Sequence, residues 1–144
     1  MRQQKIFIIG LLTLVLVSNI IVGHFLPPTG ILITLVIISG MVALIVFPDS
    51  GLNIIEKSVL SYLYIGLNDI GIKLFSGGRH DMEGLGWIHM LLFIGLVPCF
   101  IMLLIGVFRD MDSSIRLKVL SMTVFVLLIY VHLQIFGTLG VDVN

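Results

Sequence analysis

Residues 77–89 read GGRHDMEGLGWIH and gather His80, Asp81, Glu83 and His89 in a chain that is mostly Ile, Leu and Val. Imidazole and carboxylate together form the donor set of zinc, iron and manganese. The same two groups can pass a proton near neutral pH. His80, Asp81, Glu83 and His89 are therefore the candidate ligands of a divalent metal ion, the one cofactor these residues suggest. Their spacing matches no metal signature: H-E-x-x-H is absent, and no two histidines stand three or four residues apart. The competing expectation is a polar loop. Gly77, Gly78, Gly84 and Gly86 allow tight turns, and Asp81 or Glu83 caps the helix that follows.

Asp69 is the other group that demands an explanation. It lies in SVLSYLYIGLNDIGIKLF, residues 58–75, about 4 Å past the middle of that segment by the helix rise. A carboxylate at membrane depth costs roughly 2.5–3.5 kcal/mol on insertion scales, so it needs a partner or a purpose. Lys73 stands at i+4 and could pair with it, then snorkel outward. Otherwise Asp69 carries a proton or binds an ion. The candidate catalytic groups are Asp69, His80 and Glu83. His24 and His132 support them, since histidine inside an apolar segment is unusual. Asn68 is expected to bond a neighbouring helix, and Gln134 to share a bond near His132. No G-x-S-x-G, Walker A or G-x-G-x-x-G motif is present.

These groups need elements to hold them, and composition says what kind. Hydrophobic residues make up 58% and charged residues 11%, against roughly 45–50% and about 25% in soluble domains. Mean hydropathy is +1.20. No water-soluble domain of 144 residues hides that much apolar side chain, so the surrounding solvent is lipid. A formal net charge of zero gives no argument for nucleic acid. Cys99, the single cysteine, forms no intrachain disulfide and is expected to pack.

The expected helices are residues 6–26, 30–47, 56–75, 86–108 and 114–139, in one membrane domain over 1–144. PPTG and PDSG break the chain after the first and second. The first apolar run is longer than a signal h-region and no A-x-A site follows it, so it is read as a retained span. Asp112, Ser113 or Ser114 is the expected cap of the last helix.

Residues 56–75 are the ambiguous element, and basic residues decide between two architectures. With Arg2 and Lys5 inside, four spans plus an interfacial amphipathic helix put Arg109, Arg116 and Lys118 outside, against the positive-inside rule. Five spans put Arg2, Lys5, Lys57, Arg109, Arg116 and Lys118 inside and only Lys73 and Arg79 outside. An all-α bundle of five transmembrane helices, N-terminus inside and C-terminus outside, is the preferred fold. It brings His24, Asp69, His80, Asp81, Glu83, His89 and His132 into one leaflet.

The expected function is that of a small polytopic membrane protein whose outer-leaflet histidine and carboxylate site binds a metal ion or relays protons. The alternative is a non-catalytic structural or accessory subunit of a larger membrane complex. Expected partners are the lipid bilayer and further membrane subunits, copies of this chain or others. The expected location is the plasma membrane of a prokaryote.

Overall fold

The structure, a computed structural model, describes residues 2–48, 51–75 and 82–139. Among these residues it holds five helices and no strand: α1 Arg2–Phe25, α2 Pro27–Val46, α3 Ile54–Phe75, α4 Met82–Arg109 and α5 Ile115–Phe136. Four of them, α1, α2, α4 and α5, are long and apolar enough to cross a membrane. The length of α3 is similar, but it carries Glu56, Lys57, Asp69 and Lys73.

Several boundaries differ from expectation for local reasons. The α2 helix begins at Pro27, because its prolines sit at N1 and N2, where no intrahelical N–H is needed. Only Leu26 then separates α1 from α2. A Cβ on Gly30 would lie 2.2 Å from the Gly23 Cα, so this tight reversal requires glycine at position 30. Asn53 starts α3 through a reciprocal pair: its Oδ1 accepts from the Glu56 N–H at 2.9 Å, and Glu56 Oε2 accepts from the Asn53 N–H at 2.8 Å. This is a capping box. Glu83 lies within the first turn of α4 rather than before it, so it is not the expected cap. Asp81, the other expected cap, lies outside the described residues. Ser114 is the cap of α5, accepting from the Leu117 N–H at 3.4 Å.

Asp110 shapes the turn between α4 and α5. Its carboxyl accepts from the Asp112 N–H at 2.9 Å and from the Ser113 hydroxyl at 3.0 Å. The Asp112 bond first, then Ser113, holds the Asp110 carboxyl below its ordinary value of 3.8. A depressed folded value means that the contribution of these bonds is present above the unfolded value and is lost as pH falls through the folded one. The Asp112 amide resonance should therefore titrate with a midpoint below 3.8; a midpoint at or above it would show that the turn does not hold the carboxylate.

The register of the bundle follows from bonds spaced along α3. On one side Lys5 meets Glu56, Thr13 meets Tyr64, Asn19 meets Asn68 and His24 meets Phe75. The helices α1 and α3 therefore run side by side in the same direction over their whole length. On the other side Ser58 meets Ser121, Asp69 meets His132 and Lys73 meets Phe136, so α5 also runs parallel to α3. The helices α2 and α4 pack on each other, and α3 touches all four of the others, whereas α1 and α5 do not meet.

The polarity of α3 is inverted relative to a water-exposed helix. Its Ser58, Ser61, Asn68, Asp69 and Lys73 are buried, while its exposed residues include Val59, Leu63 and Leu67. A helix on a soluble surface would turn the charges outward.

Helix C-termini leave unpaired carbonyls, and here four of them receive a basic side chain from another helix. Lys57 Nζ donates to the Val46 carbonyl at 3.0 Å, Lys73 Nζ to Phe136 at 3.0 Å and Lys118 Nζ to Phe108 at 3.2 Å. His24 Nδ1 lies 2.8 Å from the Phe75 carbonyl. A carbonyl can only accept, so this nitrogen carries the proton.

Candidate functional site

Residues four apart on a helix share a face. Asp69 and Lys73 on α3 thus face His132 and Phe136 on the parallel α5. Lys73 Nζ donates to Asp69 Oδ2 at 2.6 Å, and His132 Nε2 lies 3.0 Å from the same oxygen. The expected pair between Asp69 and Lys73 is present, but Lys73 does not snorkel outward: it is fully buried. Its ammonium is held between the Asp69 carboxylate and the Phe136 carbonyl, which is the negative end of the α5 dipole.

The imidazole of His132 is fixed on several sides. Tyr62 meets it edge-on with ring centroids 5.9 Å apart, and Phe136 stands at 5.0 Å. A Cβ on Gly66 would lie 3.2 Å from His132 Nδ1, so the small residue leaves room for the ring. Because Nε2 faces the carboxylate, a neutral ring keeps its proton there and leaves Nδ1 as the acceptor. Among the described residues, neither His132 Nδ1 nor Asp69 Oδ1 has a hydrogen-bond partner.

The residue before Asp69 points elsewhere. Asn68 Oδ1 accepts from Asn19 Nδ2 at 2.7 Å, and the same Asn19 nitrogen stands 3.4 Å from Thr34 Oγ1. The expected interhelical bond of Asn68 is therefore made, and its partner is α1. Further down the same seam, the Tyr64 hydroxyl reaches the Ile9 carbonyl and Thr13 Oγ1, both at 3.0 Å.

No family model matches this chain, nor does any curated protein or solved structure.

Of the candidate groups, the structure brings Asp69 and His132 into contact. His24 bonds the end of α3 instead. His89 is partly buried on α4, within electrostatic reach of Asp69 and Lys73 and beside the Gly137 backbone. Glu83 is exposed. His80 and Asp81 lie outside the described residues. Among the described residues, no three His, Cys, Asp or Glu side chains gather in a metal-holding set. Gln134 is exposed and shares no bond with His132.

Three neighbours of these groups were not among the sequence candidates: Asn19, Thr34 and Gly66. Asn19 was the one with a trace, being an amide in the middle of an apolar run, where a polar side chain needs a partner.

Proposed function

We propose that this chain is a five-span membrane protein, N-terminus inside and C-terminus outside, in which Asp69, His132 and Lys73 exchange protons in the outer half of the membrane. The span count is supported by the parallel course of α3 beside α1 and α5, because a helix aligned along two spans crosses the same thickness. The apolar exposed stripe of Val59, Leu63 and Leu67 supports it as well. Six basic residues inside against two outside fit the same orientation.

The observation that carries the chemistry is the convergence of two nitrogen donors on Asp69 Oδ2, at 2.6 and 3.0 Å, with all three side chains buried in the bundle. Each of the three groups can bind or release a proton, and these distances let one move with little displacement of heavy atoms. With a neutral imidazole, the aspartate and lysine charges cancel. One further proton on His132 Nδ1 makes the group cationic, and the carboxylate oxygen shared by Nε2 and the Lys73 ammonium offers the route by which a proton passes on. The Lys73 ammonium, 2.6 Å from Asp69 Oδ2, would repel a metal ion brought to the other carboxylate oxygen. Proton exchange is thus the better chemistry for this group.

The test is flux. The purified protein is placed in liposomes that enclose a pH-sensitive dye, and a potassium gradient with valinomycin sets the potential. Wild-type vesicles should acidify well above protein-free ones, and Asp69→Asn or His132→Gln should reduce the rate at least tenfold. Wild-type vesicles no faster than empty ones would sink the proposal. The bond from Lys73 to Phe136 favours a second reading, a subunit in which the triad only ties α3 to α5. On that reading the same variants lose stability, and there is no flux to lose.

A further inference from the structure

Among the described residues, five buried polar atoms have no partner within the protein: Asn19 Oδ1, Ser61 Oγ, Asn68 Nδ2, Asp69 Oδ1 and His132 Nδ1. Four of these belong to two bonded pairs, Asn19 with Asn68 and Asp69 with His132. Both pairs depend on adjacent positions of α3, so they lie at one level of the bundle. In a hydrocarbon core each unsatisfied polar group costs several kcal/mol, and native cores leave few of them.

The chemistry of the atoms selects their ligand. The bonded amide pair presents one free acceptor, Asn19 Oδ1, and one free donor, Asn68 Nδ2. Turning both amides over exchanges the names but still leaves one donor and one acceptor. A cation would satisfy the acceptor and repel the donor, and at Asp69 it would meet the Lys73 ammonium 2.6 Å from the other carboxylate oxygen. An apolar ligand would satisfy neither. A molecule that donates and accepts at once, and is small enough to fit between packed helices, meets both demands.

We propose that the bundle core at the level of Asn68 and Asp69 binds ordered water. One molecule bridges Asn19 Oδ1 and Asn68 Nδ2, closing the ring that a direct amide dimer would close. Another bonds Asp69 Oδ1. Buried waters typically make two to four such bonds to otherwise unpaired groups. The hydration stands by itself. Its role as the supply of protons to the triad rests on the proton exchange proposed above.

Magic-angle-spinning NMR on the full chain in lipid bilayers tests this, with water itself as the probe. Magnetisation transferred from water should reach the Asn19 and Asn68 side-chain amides at short mixing times. Leu12, fully buried in the same α1 helix, should stay dark. In Asn68→Leu the transfer to Asn19 should fall to the Leu12 level. If that variant fails to insert, the wild type decides alone: amides as dark as Leu12 overturn the proposal. Wet amides in a protein without proton flux uphold the water site and sink the proton reading. Flux through a protein with dry amides does the reverse.

Discussion

Lys73→Met should destabilise the protein by about 3–5 kcal/mol, the usual cost of breaking a buried ion pair by removing one partner. The variant keeps most of the apolar stem of Lys73, so little packing is lost. It leaves the buried Asp69 carboxyl with His132 as its remaining partner, and it leaves the Phe136 carbonyl without its donor. Asp69→Asn combined with Lys73→Met should recover most of that loss. The amide oxygen still accepts from His132 Nε2, and no charge remains to be balanced. What stays lost is the bond to Phe136, about 1 kcal/mol. Unfolding in mixed micelles by titration with SDS measures both variants. With Asp69→Asn measured alone as well, a coupling of at least about 2 kcal/mol between the positions is expected, because the double variant loses that much less than Lys73→Met by itself. If the double variant loses the sum of the two single losses, the side chains do not act as a pair.

How much of this site could be read in advance depended on whether its bonds are local. Asp69 and Lys73 are four residues apart, so the helix period alone brings them together. His132 comes from 63 residues further along, and its contact depends on the register of α3 against α5. Nothing in the composition of either helix states that register. His24 and His132 therefore stood together, as supporting candidates behind His80 and His89, and the structure separates the two: His132 meets the carboxylate, while His24 bonds the C-terminal carbonyl of α3. Asn19 and Thr34 were hidden for the same cause, since their partners arise from packing and their apolar neighbours mask them. The four apolar helices were legible because length and hydropathy suffice to define a span. The reading of α3 as a span came from counting Lys and Arg, although the structure gives two of those residues another task. Lys57 and Lys118 reach the C-terminal carbonyls of α2 and α4. The same charges that favour one side of the membrane also complete the helix ends, and these two demands do not conflict.

Exchanging the two charges, Asp69→Lys with Lys73→Asp, should fail to restore a stable protein. If the pair mattered only as opposite charges in contact, the exchanged pair would be as good, since the spacing is unchanged. Position 73, however, faces the end of α5, where the Phe136 carbonyl accepts from the lysine at 3.0 Å. A helix C-terminus carries roughly half a negative charge. An aspartate placed there meets that charge and a carbonyl that can only accept. A lysine at position 69 meets His132 Nε2, which then has no acceptor opposite it. Two favourable contacts become two repulsive ones, and a loss of at least about 3 kcal/mol relative to wild type is expected. The neutral double variant, Asp69→Asn with Lys73→Met, should therefore be more stable than the exchanged one, although only the latter keeps both charges. SDS titration of the two proteins side by side makes the comparison. An exchanged protein as stable as wild type would mean that the α5 terminus takes no part in holding Lys73. The triad would then reduce to an ion pair that happens to lie beside a histidine.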